Sequence, residues 1–341
     1  MDALIDLFAS TQAALYEGVM QPMAFALGLG NRLEDVFNGT GWLLVGLIQI
    51  VVMVAVIGPL QRWRPVEAVT DTHAIRTDVI YTLIHRLGVF RVALFLWVDP
   101  LLDTLMGELR AQGVGTFHLE DLWPGVTDGP FTSFLIYLVV FDFVNYWLHR
   151  AQHQWQWWWT LHAVHHSQRQ MTQWTDNRNH LLDDLLGAVI WVAIAQLIGI
   201  APTQFVAVVA ITQLFENFQH ANLRVSFGKW GERLWVSPRF HRLHHAVGLG
   251  HESARKPAVT AKVAPQGATP SSGTTLGGHN FGVLLPWWDV MFGTARFDLR
   301  FEPTGIRDQV EDGFDYGEGF WSQQRLGIKR LMQALGFSSA R

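Results

Sequence analysis

The chain has 341 residues, 49% of them hydrophobic and only 16% charged, well below the roughly 25% of charged residues in soluble domains. A formal net charge of -4 gives no indication of a nucleic-acid partner. With no cysteine in the sequence, disulfides, thiolate zinc sites and cysteine-ligated iron–sulfur clusters are excluded, so any metal must be held by nitrogen and oxygen.

Apolar segments recur along the chain and predict an all-α integral membrane protein with about four to six transmembrane helices. The N-terminus, MDALIDLFAS, lacks a basic segment followed by an apolar core, so no cleavable signal peptide is expected. The clearest span has no charged residue and is near the roughly 20 residues that cross a bilayer. The last segment is broken near Gly199 and Pro202 and is long enough for a helical hairpin. The candidate segments are residues 13–30, 42–60 (the clearest span), 78–106, 131–148 and 181–215.

Charges in the connecting segments orient these spans. Four arginines between residues 62 and 86 follow the clearest span and predict a cytoplasmic loop by the positive-inside rule. The mainly acidic stretch 107–130 is then expected on the opposite side, and the span 131–148 returns the chain to the cytoplasm. The histidine clusters described below are therefore expected on the cytosolic side, in a helical cap over the membrane.

Two segments differ from this pattern. Trp155, Trp157, Trp158 and Trp159 form a cluster that predicts an anchor at the membrane interface, with a substrate contact as the alternative. Residues 250–278 are rich in Gly, Ser, Thr, Pro and Ala and contain no aromatic residue. This composition predicts a flexible loop or a tolerated surface insertion.

Eight of the fifteen histidines form three clusters beside the apolar segments. Buried imidazoles need partners, and metal ligation supplies them. Spacings of three and four residues place the rings of a cluster on one helix face. Eight imidazoles exceed the roughly three protein ligands of a catalytic zinc, so two metals are the natural number. Ligand type leaves iron, copper, nickel and zinc open, and the zinc-protease motif HExxH does not occur. The clusters are HRAQH (His149, His153), HAVHH (His162, His165, His166) and HRLHH (His241, His244, His245).

The series HxxxH, HxxHH, HxxHH on a multi-span chain resembles the fatty acid hydroxylase and sterol desaturase superfamily of membrane di-iron enzymes. Residues 142–150 match its D-x-x-x-Y-W-x-H-R lead-in, and Pro238-Arg239-Phe240 precedes the third cluster as in its P-R-F-H motif. The sequence HNFGVLLPWWDVMFGT, residues 279–294, matches its NFG–LP–WD–FGT tail. The gap before that tail is longer than is usual in the family. The resemblance suggests three regions: N-terminal membrane segments 1–130, a catalytic region 131–297 that contains the insertion 250–278, and a C-terminal tail 298–341.

The resemblance implies two iron ions held by histidine. His180 is compatible with either a ligand or a structural role, and Glu216 and His279 are weaker candidates. Asp142 lies two helical turns before the first cluster and could accept the outer N–H of a ligand histidine, or pair with Arg91 or another neighbour. The implied ligands are His149, His153, His162, His165, His166, His220, His241, His244 and His245. A structural role is expected for His73, His85, His118 and His251.

The implied activity is that of a membrane oxygenase, which uses O2 and external electrons to hydroxylate or desaturate a fatty acyl or sterol-like C–H bond. No flavin, haem or iron–sulfur motif is visible, so a ferredoxin or cytochrome-type donor with its reductase is expected to deliver the electrons. Scarce lysine and the absence of an ER-retrieval tail favour a bacterial inner membrane. The alternatives are a membrane zinc hydrolase and a metal transporter, which would need ionisable residues within the spans.

Overall fold

The computed structural model describes residues 2–94, 98–247 and 278–337, where nearly all regular secondary structure is helical. Within them, β structure is limited to one isolated bridge between Ala246 and Thr304, which confirms the all-α prediction. The predicted insertion 250–278, except for its last residue, lies outside the described residues, and so does His251. The helices are α1 Asp2–Leu15, α2 Gln21–Ala26, α3 Leu33–Val52, α4 Gly58–Trp63, α5 Thr72–Arg86, α6 Val89–Ala93, α7 Asp99–Ala111, α8 Pro130–Gln154, α9 Gln156–His166, α10 Leu181–Leu197, α11 Pro202–His220, α12 Gly228–Gly231, α13 Pro238–His244, α14 Trp287–Met291, α15 Arg307–Glu311 and α16 Phe320–Ala334.

Two helices are long and apolar enough to cross a membrane. One runs over Gly30–Trp63, 34 residues, and joins α3 to α4 through the π-helical segment Met53–Ile57. The other is α8, with 25 residues. They contain the predicted spans 42–60 and 131–148. The total of four to six spans stays a prediction, because length and composition single out only these two among the described residues.

The predicted hairpin 181–215 forms two separate helices, α10 and α11. Gly199 adopts a left-handed conformation, with φ of +66°, that a residue with a side chain rarely reaches. Pro202 then occupies the first turn of α11, where its missing N–H has no helical partner in any case. Both helices pack on α8 around the buried side chains of Tyr137 and Phe141.

The N-terminal helices pack directly on the catalytic region. A Cβ atom on Gly46 of α3 would overlap the backbone carbonyl of Arg86 in α5, so only glycine permits this helix crossing. Gln49, one turn further along α3, donates to the carbonyl oxygen of Ala210 in α11 at 2.9 Å. The region 1–130 therefore supports the helices that hold the clusters.

The C-terminal helix α16 also belongs to this helical assembly. Phe320 packs in a buried cluster with Tyr81 of α5 and Val164 of α9. The side chain of Gln324 donates to the Tyr81 hydroxyl at 3.0 Å, and its backbone carbonyl lies 2.9 Å from Nε2 of His180. Residues after 298 therefore form part of the support behind the second histidine cluster.

Candidate metal centre

Histidines converge from the ends of four helices. HRAQH lies in the last turns of α8, HAVHH ends α9, His220 ends α11, and HRLHH spans α13 and the residue after it. The start of α13 is set locally, because Ser237 caps it by accepting from the Phe240 N–H at 3.1 Å and Pro238 follows in its first turn. A buried ion pair of 2.8 Å between Arg239 and Glu232 holds this short helix in place.

All nine ligands implied by the sequence lie in two buried groups. Within a group, the candidate ligand atoms lie within 4.8 Å of one another. The groups are adjacent, since the ring centroids of His166 and His245 are 4.3 Å apart. The arrangement fits two neighbouring metal ions. The five-histidine group consists of His149, His153, His162, His166 and His244, and the four-histidine group of His165, His220, His241 and His245.

Each HxxHH motif contributes to both groups. In α9, the first and last histidines of the motif enter the five-histidine group, whereas His165 enters the other. In the third motif, the first and last histidines, His241 and His245, enter the four-histidine group, whereas His244 enters the five-histidine group. Neighbouring residues of a helix point about 100° apart, so the adjacent histidines of HxxHH diverge. Each motif therefore links the two groups.

Hydrogen bonds orient four of the rings through Nδ1. His149 lies 3.0 Å from the Phe281 carbonyl oxygen and His244 lies 2.8 Å from that of His279. His162 lies 3.0 Å from a carboxylate oxygen of Asp183. His220 lies 2.7 Å from the carbonyl oxygen of Glu216, which precedes it by one helical turn. An Nδ1–H that donates to oxygen leaves a lone pair on Nε2, the usual arrangement of a metal-ligating histidine.

The four-histidine group shows why a metal suits the site. Nε2 of His220 lies 3.1 Å from Nε2 of His165 and 2.8 Å from Nε2 of His241, which is 3.2 Å from that of His245. Nε2 of His220 has a single lone pair, so it cannot accept hydrogen bonds from both His165 and His241. A metal ion, in contrast, accepts a lone pair from every ring. Burial, reinforced by the neighbouring imidazoles, lowers the pKa of His165 and of His241 well below the ordinary value. Both rings are therefore neutral at pH 7, as metal ligation requires.

Comparison with known proteins relates the central region of the chain to a family. A sequence profile of the fatty acid hydroxylase family matches residues 134–256, which include all three clusters and His220. This central region of the chain is therefore similar to the fatty acid hydroxylase family. This family comprises O2-dependent di-iron hydroxylases and desaturases, which are oxidoreductases.

Three relatives illustrate the breadth of the family. An ornithine lipid hydroxylase of Rhizobium tropici is 26% identical over 265 residues, 76% of this chain and 70% of that protein. An alkylglycerol monooxygenase of Caenorhabditis elegans is 27% identical over 176 residues, 52% of this chain and 29% of that protein. A Delta(7)-sterol 5(6)-desaturase of Gibberella zeae is 24% identical over 152 residues, 43% of this chain and 46% of that protein. The chain thus spans less than half of the last two relatives. No solved structure matches the chain.

The family's NFG–LP–WD–FGT tail forms a loop that presents carbonyl oxygens to the centre. Asp289 accepts from the N–H groups of Phe281 and Gly282 at 2.8 and 2.7 Å, and so folds the loop back on itself. A Cβ on Gly282 would lie 2.6 Å from the Leu285 carbonyl oxygen, which explains the glycine. The tail thereby holds the Phe281 carbonyl against His149.

Asp142 acts on this loop, and the donors to its carboxylate come from the loop rather than from a ligand histidine. One carboxylate oxygen accepts from the Leu284 N–H at 2.7 Å. The other accepts from the Leu285 N–H at 3.1 Å and from the Trp288 ring N–H at 2.8 Å. These donors occupy the carboxylate because this face of α8 packs on the loop, away from the rings. The alternative of an Arg91 pair is not formed either, since Arg91 stacks on the Trp42 ring, 3.9 Å from its centroid.

The histidine partner that the sequence reasoning missed is Asp183. It accepts from the ring of His162 at 3.0 Å, from Gln152 at 2.8 Å and from the Trp158 ring N–H at 2.6 Å. The available signal was the Asp183–Asp184 pair, which follows His180 in the sequence and opens an otherwise apolar helix. A carboxylate at the first turn of α10 reaches the cluster only through the packing of α10 on α9.

Three weaker candidates lie outside both groups. His180 caps α10, since its Nδ1 accepts from the Leu182 N–H at 3.1 Å. His279 contributes its carbonyl oxygen to His244. Glu216 contributes its carbonyl oxygen to His220, and its side chain lines the cavity described below.

The tryptophan cluster divides into an exposed and a buried part. Trp155 is half exposed, as an interfacial anchor would be, but Trp158 and Trp159 are each only 3% exposed. Trp158 donates to Asp183, and the ring of Trp159 lies 5.1 Å from that of His153. The interfacial interpretation is therefore wrong for these two residues, whose rings form part of the wall around the histidines.

A cavity of about 290 Å³ adjoins the two groups. His149 and His162 of one group line it, together with His165, His220 and His241 of the other. Its remaining walls come from α5, α6, α8, α10 and α11, from residues 176–179 and from Val283. A molecule in this cavity would contact both candidate metal positions.

Proposed function

We propose that this chain is a membrane-bound di-iron oxygenase that hydroxylates or desaturates a C–H bond of a lipid. The observation that supports it most directly is that two buried histidine groups share one cavity. The relatives named above act, by their names, on an ornithine lipid, an alkylglycerol and a sterol, so a lipid is the common substrate class. We assign one iron ion to each group, with the nine histidines as ligands.

Bound iron would supply the O2-dependent oxidation of an unactivated C–H bond. In hydroxylation, one oxygen atom enters the C–H bond and the other leaves as water, which consumes two electrons and two protons. In desaturation, two hydrogen atoms leave the substrate and both oxygen atoms become water, with the same demand for two electrons and two protons. We propose that a ferredoxin or cytochrome-type donor delivers the electrons on the cytosolic side.

The residues of the chain orient the ligand rings and bind the lipid. Asp183 and the carbonyl oxygens of Phe281, His279 and Glu216 fix the ring planes before any ion binds, which lowers the cost of assembling the site. The cavity would hold the lipid next to the rings. His180 is assigned a structural role at the start of α10.

The test is the metal content of purified full-length protein together with lipid products formed under O2 and reductant. We expect two iron ions per wild-type chain. His166→Ala and His165→Ala remove one ligand from different groups, and each should retain the ion of the other group. His73→Ala changes an exposed histidine outside both groups and serves as the control. One zinc ion per wild-type chain, or iron without any lipid oxidation, would overturn the proposal.

A further inference from the structure

The cavity beside the histidine groups is polar at one end and apolar at the other. In α10, Asp184 is followed by Gly187, Ala188 and Trp191 along the cavity wall. The last of these lies seven residues, or roughly 10 Å, further along the helix axis. In α11 the order is reversed, from Phe205 through Val209 to Glu216 and His220. In both helices the charged residues lie at the end of the cavity nearest the histidine groups.

Most charges at the polar end already have partners. Asp176 lies 3.4 Å from the Arg86 guanidinium, and Asp184 lies 3.1 Å from Nε2 of His85. Asp183 accepts three hydrogen bonds, as described above. Glu216 is the exception, because its carboxylate makes no hydrogen bond and no ion pair within the described part of the chain, although it lines the cavity. The Glu216 carboxyl group therefore has only the more distant charge of Arg86 as a favourable partner among the described residues.

Two buried donors at the same end also lack partners. Nε of Arg86 and Nδ2 of Asn177 make no hydrogen bond to the described residues, and both side chains line the cavity. The two residues are 4% and 5% exposed, respectively. Buried donors are rarely left without an acceptor, so these two point to an oxygen atom of a ligand. Together with Glu216 they would suit a polar group that contains both an acceptor and a cation.

We propose that the cavity binds a lipid whose polar group contains a protonated amine and a carbonyl or similar oxygen. The amine pairs with Glu216, the oxygen accepts from Arg86 and Asn177, and the hydrocarbon chain lies between α10 and α11. Because the polar end adjoins the histidine groups, the oxidised carbon lies close to the polar group of the lipid. The oxidation rests on the proposed function, whereas the binding of the amine can be tested without it.

Two labelled lipids of equal chain length provide the probe. Hexadecyl glycinate contains an ammonium group and an ester carbonyl, and hexadecyl glycolate has a hydroxyl in place of the ammonium. Equilibrium binding to the metal-loaded full-length protein in detergent is measured at about pH 6.5, where an α-amino group is protonated. We expect the wild type to prefer the glycinate by roughly tenfold or more, as for a close charge pair in a desolvated site.

Glu216→Gln keeps the shape and removes the charge. It should abolish the preference by weakening glycinate binding, with glycolate binding unchanged. Glu34→Gln, which removes an exposed carboxylate at the start of α3, should retain the preference. Val209→Ala should weaken both lipids equally, because it removes only apolar wall.

Equal binding of the two lipids by the wild type would overturn the inference. An undiminished preference in Glu216→Gln would do the same, as would an equal loss of both lipids, which would show that Glu216 shapes the cavity rather than pairing with an amine. Iron is counted in the same samples. A wild-type protein that retains no iron after loading and still prefers the glycinate would refute the oxygenase and leave the amine site standing.

Discussion

Asp183→Asn tests whether hydrogen bonds around the histidines organise the metal centre. The wild-type carboxylate is 2% exposed and accepts from His162, Gln152 and Trp158 at 2.6 to 3.0 Å. Asparagine has nearly the same shape but only one acceptor oxygen, and its amide N–H groups would face the donors. The change therefore removes the negative charge and leaves at least one buried donor without an acceptor.

The expected magnitudes follow from these contacts. A hydrogen bond to a charged group contributes about 1.5–3 kcal/mol, and an unsatisfied buried donor costs about 1–3 kcal/mol. With part of the network retained by the amide oxygen, the free energy of unfolding should fall by about 2–4 kcal/mol. Loss of the carboxylate that orients a ligand histidine typically weakens metal binding by about 10–100-fold. We expect that loss at the five-histidine group, which contains His162.

The assay is anaerobic titration of detergent-solubilised apoprotein with cobalt(II) as a spectroscopic probe, in competition with a chelating dye. Thermal unfolding of the same samples reports stability. Asp184→Asn is the matched control, because the neighbouring carboxylate lies near His85 and does not contact either histidine group. If Asp183→Asn binds cobalt within a factor of two of the wild type, the carboxylate does not position a ligand and the reasoning fails.

Three further predictions concern packing and metal. Gly46→Ala should lower the free energy of unfolding by about 3 kcal/mol, because its Cβ would overlap the Arg86 carbonyl oxygen; an unchanged melting temperature would contradict the helix crossing. Gly282→Ala should cost about 1–3 kcal/mol and reduce the iron content, because its Cβ would lie 2.6 Å from the Leu285 carbonyl oxygen. Gly107→Ala, where nothing lies within 4 Å, is the control for both and should stabilise α7 by about 0.5–1 kcal/mol. Removal of metal with a chelator should lower the stability by about 4 kcal/mol for each ion previously present at about 1,000 times its Kd, and a melting temperature insensitive to chelation would count against a buried metal centre.

The sequence by itself was sufficient for the features that depend on local pattern. Hydrophobicity located the helices that include residues 42–60 and 131–148, because lipid-facing or core-facing helices need long uncharged runs. Gly199 and Pro202 marked the break between α10 and α11, because glycine reaches the left-handed conformation and proline fixes its own φ and has no N–H. The spacing of the clusters selected eight histidines and the family resemblance added His220, and every one of the nine lies in one of the two groups.

Tertiary structure decided which atoms meet. The pattern HxxHH does not reveal that His165 and His244 join different groups from their neighbours, since that depends on how α9 and α13 are placed around the centre. The sequence likewise did not predict that Asp183, rather than Asp142, would accept a hydrogen bond from a histidine ring. Helical periodicity determines which side chains share a face, because it acts over a few residues. The partner of a face is determined by packing between segments far apart in sequence, and that information is not contained in any local pattern.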